Sequence, residues 1–245
     1  MLPNIKNFIA DFQSSGIIDQ ICAKYDVVMI WVSGSTALGI IDEESDYDLG
    51  VLIADNVQFS KSEKTPIYFR YKKEDNRVVQ YIFNTFEDIF AEICRERLAP
   101  YRYLGWAQFI NIKEEHIIYK NNKYLDIIDQ LILNKESISH NAIHTFVNYV
   151  DDALLSIHTP RDIFGVPWGK MLSHLVWCAD ILMKRPVDTS LLLRLKRNPE
   201  EELDAATTAD IFNKLLFLQE YLQKAPNPPA VSFLTKIRTI HIGES

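Results

Sequence analysis

The chain has 245 residues and a formal net charge of −7, and 47% of its residues are hydrophobic and 24% charged. These values are typical of a globular protein with one large domain or two small ones. The acidic balance argues against broad electrostatic capture of nucleic acid, which usually shows as a strongly basic domain. Neither a signal pattern nor an apolar stretch near the roughly 20 residues of a membrane span is present in the sequence, so we expect a cytoplasmic protein without a membrane partner.

The cysteines Cys22, Cys94 and Cys178 are far apart in the sequence and odd in number. A zinc site or a disulfide framework needs paired or closely spaced cysteines. We therefore expect buried thiols in a reducing compartment.

The first predicted elements alternate between helix and strand. Residues 4–24 carry apolar side chains at helical spacing around Gly16, which predicts one amphipathic helix or a pair of helices broken near the glycine. Residues 27–32 and 46–53 are rich in β-branched side chains and predict strands. Residues 36–38 predict a short helix between these strands.

The later elements change from strand to helix near Thr85. Residues 66–71 and 77–83 predict an antiparallel pair, which follows a polar loop. Helical spacing then predicts helices at 85–98, 125–133, 137–156, 168–183 and 206–222. The pattern predicts an α+β protein, with a small mixed-sheet core over residues 1–98 and an all-helical domain over residues 99–245.

The most informative stretch joins the first two predicted strands. Side chains two apart in a strand share a face, so the carboxylates of Asp46 and Asp48 project together. Such carboxylates repel each other, and Mg²⁺ relieves the repulsion because it binds a few carboxylates together with phosphate oxygens. Gly34 lets the backbone approach a phosphate, and Ser35 offers a hydroxyl and an amide. The stretch predicts a phosphate cradle beside a metal site, as phosphoryl or nucleotidyl transfer requires.

The motif also resembles a family signature. The run GSTALG at 34–39, followed by SDYD at 45–48, resembles the polymerase-β-like nucleotidyltransferase superfamily: Gly-Ser, a short helix and loop, then Asp-x-Asp on the next strand. The resemblance implies an Mg²⁺-dependent enzyme that moves a nucleoside monophosphate from an NTP to an acceptor hydroxyl and releases pyrophosphate. It implies that Asp46 and Asp48 are catalytic and bind the metal, and that Gly34 and Ser35 bind the nucleotide. The acceptor, an RNA end, a protein or a small molecule, stays open.

The helical half adds a second, less specific resemblance. Its Lys-x-x-x-His helix, with Lys170 and His174, is similar to a phage and bacterial branch of the superfamily that is linked to RNA repair. Side chains four residues apart share a helix face. The resemblance implies that Lys170 makes an extra contact with the nucleotide phosphates, whereas such a pair alone is more often a surface feature.

The third acidic residue of the superfamily is not evident in this sequence. The best-placed residue on the later strand is Gln80, which is neutral, and we expect its side chain to face the site. The alternatives are the acids that flank this strand: Glu74, Asp75, Glu87 and Asp88. Without a third carboxylate the acceptor hydroxyl lacks its general base. A degenerate nucleotide-binding or regulatory module, or an antitoxin-like interaction protein, therefore stays open as an alternative.

Overall fold

The structure is a computed structural model. It describes residues 5–38, 45–54, 69–71, 77–85, 105–156, 162–163, 166–198 and 203–226, with the backbone alone at 69–71 and 77–78. Contacts divide the chain into two units. The first unit contains the described residues up to 85 together with Gln108–Ile138. The second unit contains residues 105–107 together with the described residues from 139 to 226. The boundary predicted at residue 98 lies outside the described residues and stays a prediction.

The first unit is built on a mixed sheet. Its strands are β1 (Val27–Ser33), β2 (Tyr47–Ile53), β3 (Phe69–Tyr71), β4 (Arg77–Thr85) and β5 (Ile117–Lys120). They lie in the order β3-β4-β2-β1-β5. The β2 and β4 strands are parallel and the other neighbours are antiparallel, so the predicted mixed sheet and the predicted antiparallel pair, β3 with β4, are confirmed.

Four helices in the described part of the first unit accompany the sheet: α1 (Ile5–Ser14), α2 (Ile17–Lys24), α3 (Gly34–Leu38) and α4 (Leu125–Leu133). Of the two alternatives for the N-terminal segment, the broken pair is correct. Gly16 separates α1 from α2 with a φ of 74°, which glycine adopts without a steric penalty. The helix predicted at 85–98 lies outside the described residues beyond Thr85.

One face of the sheet packs on α1 and α2. Phe8 and Phe12 of α1 lie in one apolar cluster with Tyr47 and Leu49 of β2. The rings of Phe8 and Tyr47 are stacked, with centroids 4.1 Å apart and planes 5° from parallel. Because side chains alternate along a strand, burial of Tyr47 on this face places Asp48 on the opposite face.

The described part of the second unit is helical, as predicted for the C-terminal half. Its helices are α5 (Lys135–Phe146, from Ser139 onward), α6 (Val150–Leu155), α7 (Trp168–Leu182), α8 (Thr189–Arg197) and α9 (Ala205–Lys224). The α7 helix contacts both α8 and α9, and every residue from Met171 to Asp180 is buried. Throughout the described ranges, each helix is too short or too polar to cross a lipid bilayer.

The single helix predicted at 137–156 is wrong. A 3₁₀ turn at Val147–Tyr149 separates α5 from α6. The Asn148 amide donates to the backbone carbonyls of His144 and Thr145, at 3.3 Å and 3.0 Å. Asparagine side chains that bond to nearby carbonyls compete with the regular helix, and the apolar spacing of this segment does not reveal that competition.

Candidate functional site

Gly34 and Asp48 meet where β1 turns into α3. Gly34 has a φ of +64°, and a Cβ built on it would lie 1.8 Å from Oδ2 and 2.5 Å from Cγ of Asp48. The glycine is thus required twice, by its backbone conformation and by the carboxylate above it. The sequence predicts that the backbone at Gly34 approaches a phosphate, and in this structure the Asp48 carboxylate lies over that glycine.

Asp46 lies just before β2, which begins at Tyr47 and not at residue 46 as predicted. Its side chain is exposed, whereas Asp48 is half-buried. Tyr47, between them, is buried against Phe8 on the other face of the sheet. The tyrosine ring thereby anchors the segment that carries both carboxylates.

A polar row crosses three strands at the level of Asp48. In the register of the sheet Asp48 pairs with Ser33 of β1 on one side and with Gln80 of β4 on the other. Paired residues on neighbouring strands project from the same face, so Gln80, which is half-buried, lies on the Asp48 side of the sheet as expected. The four alternative acids, Glu74, Asp75, Glu87 and Asp88, lie outside the described residues.

The row continues into apolar packing further along the same face. The next paired residues are Trp31 and Gly50, and a Cβ on Gly50 would lie 2.2 Å from the Trp31 ring. Phe109 meets that ring edge-on, with centroids 5.6 Å apart. On β1 and β2, apolar packing therefore follows directly after the polar pair of Ser33 and Asp48.

Two hydroxyl groups beside Gly34 were not singled out as site residues. Ser33 is 2% exposed and Thr36 is 7% exposed, and neither hydroxyl has a hydrogen-bond partner among the described residues. Ser35, the predicted phosphate ligand, is half-buried on α3. A signal for Ser33 exists in the sequence, since it is the one polar residue of the apolar run that forms β1.

The polar side chains at this end of the sheet carry oxygen atoms that could bind a cation. Asp46 and Asp48 provide carboxylates, and Gln80 provides an amide oxygen. Within the described ranges, no cluster of three or more His, Cys, Asp or Glu side chains is placed to hold a metal. These groups fit Mg²⁺, which binds to one or two carboxylates and keeps its other positions for water and substrate phosphates.

Lys170 and His174 lie on α7 in the second unit. His174 is 6% exposed, and its Nδ1 donates to the Lys170 carbonyl over 2.6 Å. Burial lowers the pKa of His174 to about 4, helped by the charges of Lys170 and Lys196 and opposed by the hydrogen bond. The imidazole is therefore neutral near pH 7. It is a side chain of the core and not a general acid. Lys170 is half-buried, and its contact with phosphate stays a prediction.

His174 predicts a pH-dependent loss of stability. Its folded-state pKa of about 4 lies below the ordinary value of 6.5, so the unfolded chain takes up a proton first as the pH falls. We expect the contribution of neutral His174 to the free energy of unfolding to be fully present above pH 6.5. Towards pH 4 this contribution should fall by about 3 kcal/mol. Urea unfolding of His174→Asn, which keeps a donor for the Lys170 carbonyl, should show a correspondingly smaller difference between pH 7.5 and pH 4.5.

The matched control is His140→Asn, at a half-buried position on α5. This variant makes the same substitution in another helix of the same unit, so it controls for the replacement of a histidine by asparagine. If His174→Asn retains the pH dependence of the wild type, burial of a neutral imidazole at position 174 does not contribute to the acid sensitivity.

Comparison with known proteins gives one family. The model described as "Nucleotidyltransferase domain" matches residues 14–135, a segment that includes all five described strands and the turn at Gly34. No curated protein matches the chain. The RNA-repair branch stays a prediction. Residues 14–135, just under half of the chain, match a nucleotidyltransferase domain, which agrees with the resemblance of this segment to the polymerase-β-like nucleotidyltransferases.

Proposed function

We propose that this protein is an Mg²⁺-dependent nucleotidyltransferase that moves a nucleoside monophosphate from an NTP to an acceptor hydroxyl. The observation that supports it most is the contact between Asp48 and Gly34 at the turn of the matched domain. A carboxylate over a glycine with a positive φ brings a cation ligand and a backbone without a side chain to one place.

Each predicted site residue then has a role. Gly34 and Ser35 hold the β- and γ-phosphates through the backbone and the hydroxyl. Asp46 and Asp48 would bind Mg²⁺, which when bound offsets negative charge on the triphosphate. Lys170 is the candidate for a further phosphate contact, since its ammonium group is a compact positive charge.

The reaction forms a bond between the acceptor oxygen and the α-phosphorus and breaks the bond from that phosphorus to the bridging oxygen. Pyrophosphate leaves, and the acceptor hydroxyl loses its proton. Gln80, opposite Asp48 in the register, is an amide and cannot take that proton. This pairing favours a second candidate function, a nucleotide-binding module with weak or lost transfer activity.

The test is incubation with each NTP labelled at its α-phosphate, Mg²⁺ and three kinds of acceptor: RNA with a free 3′ hydroxyl, protein, and small polyhydroxylated molecules. We expect label on one kind of acceptor, release of pyrophosphate, and loss of both in Asp46→Asn and Asp48→Asn. The matched control is Asp19→Asn, which removes an exposed carboxylate on α2.

Calorimetry with Mg²⁺ separates the two candidates. Tight NTP binding that requires Asp46 and Asp48 but leads to no transfer supports the degenerate module. Equal NTP affinity in the wild type and in both site variants contradicts the assignment of these carboxylates.

Gln80→Glu is predicted to strengthen the site. An added carboxylate beside Asp48 supplies another cation ligand and a group that can accept a proton. We expect higher Mg²⁺ affinity by calorimetry and, if transfer is detectable, faster turnover. Gln80→Met controls for the change of side chain, and Gln130→Glu adds the same charge at an exposed position on α4. A Gln80→Glu variant with unchanged Mg²⁺ affinity would show that residue 80 lies too far from the cation.

A further inference from the structure

The Ser33 hydroxyl is buried without a hydrogen-bond partner. Its side chain is 2% exposed, and no described residue accepts or donates a hydrogen bond at its Oγ. Buried hydroxyl groups in folded proteins are almost always paired, because an unpaired one loses its hydrogen bonds to water without replacement. Thr36 and Ser139 have buried hydroxyl groups in the same state, so the missing partner alone assigns no role to Ser33, and its place beside Asp48 must do so.

The position of Ser33 in the sheet indicates such a role. Ser33 is the cross-strand partner of Asp48, and side chains of directly opposed residues lie close enough to interact. In this structure the carboxylate of Asp48 instead lies over Gly34, where a Cβ would be 1.8 Å from Oδ2. A hydroxyl donor and a carboxylate acceptor thus share a face and a register position without being bonded to each other.

We propose that Ser33 is a positioning residue for Asp48: its hydroxyl donates to the carboxylate when Asp48 binds a divalent cation. A carboxylate ligand has two oxygens, and the one that does not bind the cation accepts from a protein donor. Rotation of the Asp48 side chain away from Gly34 and towards its cross-strand partner satisfies the buried hydroxyl and leaves the glycine backbone open. This inference rests on the proposed function, since it assumes that Asp48 is a cation ligand.

The neighbours of Asp48 favour Ser33 for this role. On the β1 side the next residue on the same face is Trp31, whose ring covers Gly50. On the β4 side, Gln80 is half-buried and near solvent, so its amide can bond to water. Ser33 therefore offers a buried donor beside Asp48 that bulk water does not reach.

The test measures cation binding directly. Mn²⁺ is titrated into the full chain and followed by electron paramagnetic resonance, without nucleotide, for the wild type, Ser33→Ala, Ser33→Thr and Asp48→Asn. We expect Ser33→Ala to weaken Mn²⁺ binding about 10- to 100-fold, the usual effect of losing a donor to a metal ligand. Ser33→Thr keeps the hydroxyl and should bind Mn²⁺ more tightly than Ser33→Ala does.

Stability without the cation provides a second measurement. A buried hydroxyl with no partner destabilises the folded state, so Ser33→Ala should leave the urea midpoint of the cation-free protein equal or higher. Ser139→Ala is the control: Ser139 is also fully buried with an unpartnered Oγ but lies in the second unit. The urea midpoint of Ser139→Ala should likewise be equal to or higher than that of the wild type. Its Mn²⁺ affinity should be that of the wild type.

The outcomes distinguish this inference from the proposed function. If Asp48→Asn binds Mn²⁺ as the wild type does, the metal assignment fails and the role of Ser33 fails with it. If Asp48→Asn loses binding and Ser33→Ala does not, only the role of Ser33 is overturned. In the double variant, Ser33→Ala should cause no further loss once Asp48 is Asn, and a full additional loss would show that the serine acts elsewhere.

Discussion

Gly34→Ala is expected to destabilise the protein by about 2–6 kcal/mol and to remove Mg²⁺-dependent NTP binding. A non-glycine residue at a φ of +64° costs about 1–3 kcal/mol in strain. The new Cβ would also meet Oδ2, Cγ and Cβ of Asp48 at 1.8, 2.5 and 2.6 Å. Displacing a side chain held by a strand adds about 1–3 kcal/mol, and the new Cβ also fills the space through which the Gly34 backbone would approach a phosphate.

Gly16→Ala is the matched control for Gly34→Ala. Gly16 has a φ of +74°, but a Cβ there would meet nothing within 4 Å. The control should therefore lose only the strain of the positive φ, about 1–3 kcal/mol, and should bind NTP as the wild type does. Urea unfolding and calorimetry on both variants separate strain from the clash with Asp48. Equal losses of stability in the two variants would mean that Asp48 moves aside without cost.

Lys214→Met is expected to destabilise the second unit by about 3–5 kcal/mol, the range for breaking a buried ion pair on one side. Lys214 of α9 is 5% exposed, and its Nζ lies 2.9 Å from Asp180 and 2.9 Å from Asp210. Burial opposes the charge of the ammonium group, but the two carboxylates raise the pKa of Lys214 above its ordinary value. Methionine fills the volume and leaves Asp180, which is 1% exposed, without its cation.

Two further variants make the Lys214 prediction specific. Lys224→Met removes an exposed i,i+4 pair with Glu220, whose side chains are 78% and 65% exposed, and should cost no more than about 0.5 kcal/mol. Adding Asp180→Leu to Lys214→Met should recover most of the loss, because the buried carboxylate is then absent. Urea unfolding monitored by circular dichroism measures all three, and a loss below 1 kcal/mol in Lys214→Met would contradict a buried, mutually dependent pair.

The local part of the site could be predicted from the sequence, because it depends on short-range patterns. The turn at Gly34, the strand after it and the projection of Asp48 all follow from turn chemistry and from the two-residue period of a strand. The pairing of Asp48 with Gln80 is long-range, since β2 and β4 are parallel and joined by a crossover. An apolar strand does not define its own register. The sequence alone therefore does not establish which face Gln80 lies on, and the register of β2 with β4 does.

Other features escaped prediction for different physical reasons. The β5 strand has only four residues, too few for a period to be recognised. His174 shares a helix face with Lys170 in the sequence, but α7 is buried around most of its circumference, and periodicity does not reveal a helix that is covered on all sides. Ser33 is polar at the end of an apolar run, and its burial without a partner depends on the surrounding sheet.

The stack of Phe8 on Tyr47 has a consequence for where this domain can be cut. The family match begins at residue 14, so Phe8 lies outside it, although its ring covers the residue between the two carboxylates. A protein shortened to the matched boundary would lose that ring and also Phe12, and would uncover aromatic surface beneath the segment that carries Asp46 and Asp48. The folded unit that supports both carboxylates therefore begins before the matched boundary, at the first turn of α1.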